Sequence, residues 1–141
     1  KAVLDSLKNA ISDSQFEKVV KWYMESIGAT SAFIPSKRNL AKDEGDADII
    51  ALFDELRIVV YVQVKQYDRY VEKKALEQVF LASHAYSGVY SERTALLWVV
   101  STCDSFSDEA IDYANDNGIR LIGGTEFAGM SLDTGLKDLN V

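Results

Sequence analysis

Two apolar runs separated by three residues constrain this chain most. Residues 47–53 (ADIIALF) and 57–66 (RIVVYVQVKQ) each have the length and β-branched content of a strand, and Asp54, Glu55 and Leu56 leave room only for a short connection. That predicts a hairpin. Successive side chains of a strand point to opposite faces, so Ile58, Val60, Val62 and Val64 share one face while Tyr61, Gln63 and Lys65 share the other. The aliphatic set belongs in the core. A Gln and a Lys inside a β-branched strand cost burial energy unless they serve a site. With Asp48 on the neighbouring strand they can converge, and a carboxylate, a carbonyl oxygen and an ammonium at one point suit a hard divalent cation, a water and a phosphate.

The rest of the chain supplies helices and further strands. Val3, Leu4, Leu7 and Ile11 have helical spacing over residues 2–11. Ser14 and Glu17 have the S-x-x-E form of a capping box, opening a helix whose stripe runs through Phe16, Val19, Val20, Tyr23 and Ile27 to Gly28. A strand over residues 29–35 ends at the only proline, and a polar loop then reaches Gly45. After the hairpin, Ala75, Val79, Ala82 and Tyr86 mark one face of a helix over residues 72–87. The almost wholly apolar residues 95–101 predict a central strand covered on both faces. Ser107 is the expected N-cap of the next helix, with Phe106 spaced to staple onto Ile111 and Asn117-Gly118 ending it. Residues 120–122 read as a strand, and Thr125 as the cap of a helix over residues 126–132. Strands alternating with helices in the second half call for right-handed crossovers between parallel neighbours, so the expected fold is α/β with a central mixed sheet flanked by helices.

Composition narrows the chemistry. At 141 residues the chain is expected to form one domain. One cysteine, Cys103, and one histidine, His84, provide neither a disulfide nor a zinc cluster, and give little support to a Cys-His or Ser-His dyad. His84 falls in an amphipathic helix, where it reads as a solvent-edge or packing residue. No apolar run approaches the roughly 18 residues of a membrane span, and no signal peptide precedes the first helix, so a cytoplasmic protein without a membrane partner is expected. A start at Lys1 rather than Met reads as a domain excised from a larger protein. The net charge of -7 argues against indiscriminate nucleic-acid binding by the whole surface, yet leaves room for a local basic patch beside a carboxylate site. No Gly-rich phosphate loop follows any expected strand, which argues against a small-molecule enzyme of doubly wound type.

Asp48, fourteen intervening residues, then Gln63-Val64-Lys65 resembles the D-(x)n-(D/E/Q)-x-K signature of the PD-(D/E)xK nuclease superfamily. The Q-x-K form followed by an aromatic, here Tyr67, is similar to the Mrr-type restriction endonuclease branch. Glu44-Gly45-Asp46-Ala47-Asp48 stands where that branch has D-G-G-I-D, which puts Asp48, not Asp46, at the motif position. Phe16-Glu17 with Val20 resembles the branch's F-E-x-x-V opening, and the F-S-x-x-A-x-x-Y-A segment from Phe106, followed by G-I-x-L-I-x-G, resembles its C-terminal half. The resemblance spans roughly residues 15–132 and departs from the superfamily form in two places. No proline precedes Asp48, and Gln63 replaces the usual acidic ligand.

What the resemblance implies is a restriction-endonuclease-like core that hydrolyses DNA phosphodiester bonds with Mg²⁺, or with Mn²⁺ as the substitute ion. Asp48, Gln63, the backbone carbonyl of Val64 and Glu17 are the candidate metal ligands. Glu17 has a second reading, as the acidic member of the capping box. Lys65 would position or help deprotonate the attacking water, making Asp48, Gln63 and Lys65 the catalytic set. Lys37, Arg38 and Lys42 in the loop before Asp48, and Arg69, Lys73 and Lys74 near the head of the following helix, are candidate DNA contacts, with Tyr67 and Tyr70 available to stack on a base. A solvated loop and a solvated helix start explain the same residues without DNA. The expected partners are DNA, a second copy in a homodimer, and a fused or associated recognition or motor domain. The alternative reading is a catalytically inactive DNA-binding or assembly module that keeps the fold.

Overall fold

The computed structural model describes residues 13–35, 47–66 and 69–134. The hairpin forms where alternation places it. Strand β2, Ile49–Phe53, pairs antiparallel with β3, Ile58–Lys65, in a register that sets Ile49 opposite Val62 and Phe53 opposite Ile58. The connection is longer than expected, because Arg57 belongs to the turn and not to the strand. It adopts φ 55°, the sparsely populated left-handed region for a residue with a Cβ. Short β1, Ser31–Phe33, adds antiparallel to β2.

On its other side β3 changes character. Strand β4, Thr94–Ser101, pairs parallel with it, and β5, Ile119–Ile122, pairs parallel with β4. The sheet order is β1-β2-β3-β4-β5, the mixed α/β arrangement expected from the sequence.

Helices cover both faces. On one, α1 (Asp13–Ser26) and α4 (Gly124–Asp133) bury Phe16, Val20, Met24 and Phe127 against Val60 and Val62. On the other, α2 (Lys73–Ala85) and α3 (Asp108–Asn117) bury Leu76, Val79 and Ala110 against Tyr61 and Val99. The alternation of β3 thus feeds both cores: Val60, Val62 and Val64 enter the first, Val59 and Tyr61 the second. His84 is exposed at the end of α2, its ring against Phe80. Among the described residues no helix is long and apolar enough to cross a membrane.

The helix boundaries sort into local and tertiary causes. Ser107 caps α3 as expected, its side chain accepting from Ala110 N at 3.1 Å, and Gly118 ends the helix at φ 66°. Phe106 packs on the α2–α3 core while Ile111 is exposed, so core packing and not a staple holds that entry. Ser14 lies within α1, and Ile27 falls beyond the helix, exposed. Thr125 likewise sits inside α4, whose cap position is Gly123. The reason is distant in sequence: the Asp104 carboxylate accepts from Thr125 N at 2.7 Å and from the Thr125 hydroxyl, satisfying the helix start from across the β4–α3 loop. A Cβ on Gly123 would meet Asp104 Oδ1 at 2.9 Å, so this clamp closes over a residue without a side chain. Strand β4 is covered only toward its C-terminal end. Thr94, Ala95 and Leu96 are exposed because neither helical layer extends that far. The expected helix over residues 2–11, and Lys37, Arg38, Lys42, Asp46 and Tyr67, lie outside the described residues.

Candidate active site

Asp48 immediately precedes β2 and bonds to β3 on either side of Gln63. Its N–H donates to Val62 O at 2.9 Å, and its carboxylate Oδ2 accepts from Val64 N at 2.7 Å. The carboxylate therefore does structural work, replacing a ladder partner where the strand pairing ends. Asp48 is also only 3% exposed, so its charge is held in a fixed position at the sheet's end.

Gln63 is 2% exposed, and its carbonyl Oε1 has no hydrogen-bond partner among the described residues. An orphaned buried acceptor costs about 1–3 kcal/mol, and such groups are rare in folded proteins. Here the orphan is an oxygen donor bracketed by the two Asp48 bonds. These two side chains, with backbone carbonyls, offer oxygen alone, the chemistry of a hard cation such as Mg²⁺. Among the described residues no three His, Cys, Asp or Glu cluster in a metal-holding group, so water and substrate phosphate would have to complete the coordination of such an ion. Glu17, half-buried, is carried by α1 on the opposite face of the sheet.

Two residues beyond Gln63, Lys65 ends β3, facing Ser101 across the parallel ladder. It lines a cleft of about 200 Å³ whose other walls are Glu72, Lys74, Ala75 and Gln78. Strand alternation thus puts Gln63 and Lys65 on the α2 side, and the crossover brings α2 over the strand end. Of the basic residues at the head of α2, Arg69 pairs with Glu72 at 3.6 Å and Lys73 with Glu77 at 3.9 Å, while Lys74 faces the cleft. Tyr70 is exposed beside Arg69. Gln78 is the site residue that sequence reading does not single out. Its only advance signal is a position one turn after Lys74 on the helix following the Q-x-K strand.

No curated protein matches the sequence. Among solved structures, the crystal structure of the protein of unknown function AF1548 superposes with a TM-score of 0.63 at 17% identity, covering 92% of this chain and 72% of that one. At that identity the likeness speaks for the fold alone. The Mrr_cat family model, described as restriction endonuclease, matches residues 8–131, which contain every described β-strand, the Asp48–Gln63 pair and the Lys65 cleft. The chain therefore belongs to the Mrr_cat family of restriction endonuclease domains.

Proposed function

We propose that this domain is an Mg²⁺-dependent endodeoxyribonuclease that hydrolyses DNA phosphodiester bonds, with Asp48, Gln63 and Lys65 as its catalytic set. Membership of a restriction endonuclease family implies nuclease chemistry and DNA as substrate. One observation carries the finer reading: the buried, unpartnered Oε1 of Gln63 sits on β3 between the two residues bonded by Asp48, two positions from a lysine that opens onto a cleft. Asp48 and Gln63 would hold the ion, with the Val64 carbonyl as a further ligand; Glu17, on the α1 face, is left out of this set. Bound there, Mg²⁺ would supply Lewis-acid stabilisation of the phosphate and an acidified water.

The protein's own part is positional and electrostatic. Lys65 orients the attacking water and donates to the non-bridging oxygens on which charge grows. Its ammonium can do this with little reorganisation because the parallel pairing to Ser101 fixes its backbone. Arg69, Lys73 and Lys74, with Lys37, Arg38 and Lys42 from the preceding loop, would give this acidic protein the local positive field that a DNA strand requires.

A plasmid-nicking assay tests the reading. Wild-type protein should nick supercoiled DNA in Mg²⁺ or Mn²⁺ and not in EDTA, and Lys65→Ala should lose at least about 10²-fold in rate while melting like wild type. Activity within a few-fold in the folded variant would remove Lys65 from the catalytic set. A second reading follows from Gln63 itself. It brings no charge where the superfamily form has a carboxylate, so wild-type protein that binds DNA without nicking it would be an inactive binding or assembly module.

A further inference from the structure

The basic residues around the head of α2 are alike in sequence but differ in their commitments. Arg69 is tied to Glu72 and lies over the Tyr70 ring, and Lys73 is tied to Glu77 and lies over the Tyr113 ring. Lys74 has no ion pair or hydrogen bond to its side chain among the described residues. One helical turn later the half-buried Gln78 carboxamide likewise bonds to nothing among the described residues. Positions i and i+4 share a flank, and this flank lines the cleft beside Lys65. Two side chains rich in donors and without internal partners therefore face the space next to the proposed catalytic lysine.

The size of that space limits what enters. At about 200 Å³ the cleft is smaller than the roughly 300–1,000 Å³ pockets that enclose free small ligands. It suits a segment of a longer polymer. Glu72, the one carboxylate in its lining, is neutralised in part by Arg69 and repels an anion toward the Lys74–Gln78 side.

We propose that this cleft is a backbone subsite for the nucleotide next to the scissile phosphate, in which Lys74 binds a non-bridging phosphate oxygen and the Gln78 amide donates to the adjoining sugar–phosphate oxygens. The inference rests on the reading of Lys65 as the catalytic lysine. It assigns Gln78 a substrate contact and makes the subsite indifferent to base identity, since backbone contacts position the strand without reading it.

An ammonium and an amide leave different signatures, and a short fluorescent DNA duplex separates them. Binding is measured across a salt series in EDTA, and cleavage in Mg²⁺. Lys74→Ala should lower the slope of log affinity against log salt by about one, because one phosphate contact is lost. Gln78→Ala should weaken binding about three- to tenfold with the slope unchanged, and Gln78→Glu should weaken it further by repulsion. For both positions the loss should fall on KM more than on kcat and be equal for duplexes of different sequence. Arg120→Ala, which removes a charge from the α1–α4 face, should change neither binding nor cleavage. A wild-type salt slope in Lys74→Ala, or wild-type affinity in both Gln78 variants, would overturn the subsite while Lys65-dependent cleavage still stood. A loss that varies with sequence would overturn the backbone assignment in favour of a base contact. Wild-type protein unable to cleave would remove the underlying reading, and the subsite with it.

Discussion

The two ends of β3 use similar residue types for opposite purposes. At the turn end, the Arg93 guanidinium pairs with Asp54 and donates to Ile58 O at 3.3 Å, so that a cleft lined by Asp54, Arg57, Glu92 and Arg93 is bridged from within. At the other end Gln63 Oε1, Lys74 and Gln78 have no such internal partners among the described residues. Charge and polarity alone do not mark a site. What distinguishes the two ends is whether the protein has already satisfied its own polar groups, because an interaction completed internally must be broken before a substrate can use it.

The comparison is tested hardest at Asp48. Asp48→Asn keeps an acceptor for Val64 N but removes the carboxylate charge, so it should abolish cleavage and weaken divalent-ion binding beyond the roughly 10–100-fold that outer-shell changes cost. Asp46→Asn should leave both nearly intact. Calorimetric titration of the two variants with Mn²⁺ checks this, and ion loss in the Asp46 variant instead would mean that the motif register is wrong.

At the turn end the expectation reverses. Arg93→Ala should cost about 1 kcal/mol in urea unfolding, since its partner Asp54 is half exposed, and leave the nicking rate unchanged. A large loss of nicking in that variant would erase the distinction between the ends.

The smallest effect belongs to Tyr61, between them. Burial, followed by the neighbouring Tyr90 and Tyr86, pushes its phenol up from 10.0 to about 12. A folded-state value above the unfolded one gives stability that is fully present below pH 10 and lost as pH rises toward about 12, where the unfolded chain releases a proton that the folded one retains. Tyr61→Phe should make the alkaline decline shallower in denaturation curves without affecting cleavage at neutral pH. Tyr23, Tyr90 and Tyr113 are raised by burial in the same direction, so part of the decline should remain.

The sequence revealed what depends on period and on neighbours. Alternation through Ile58–Lys65 placed Gln63 and Lys65 on one face, and the Ser107 and Gly118 boundaries of α3 follow from residues within a few positions of each. Features made by distant contacts were hidden. Gly123 can stand at the cap of α4 because Asp104, far upstream, reaches Thr125, and no local pattern announces that. The apolar run of β4 reports affinity for a core but not how far the helical layers extend over it. Arg69, Lys73 and Lys74 look equivalent on paper, and only the positions of Glu72, Glu77, Tyr70 and Tyr113 tell them apart. Gln78 resembles any solvated helical amide until α2 is laid across the end of β3.

The switch of β3 from an antiparallel to a parallel neighbour also sets how the site comes into being as the chain folds. Its pairing with β2 closes over a four-residue turn, whereas its pairing with β4 waits for the chain to travel out through α2 and back. Loop closure is cheaper for the first than for the second, and contacts local in sequence form earlier. The Asp48–Val64 bond belongs to the early hairpin, and the walls of the cleft belong to the late crossover. A nascent chain thus brings Asp48 alongside Gln63 before the α2 wall of the Lys65 cleft exists.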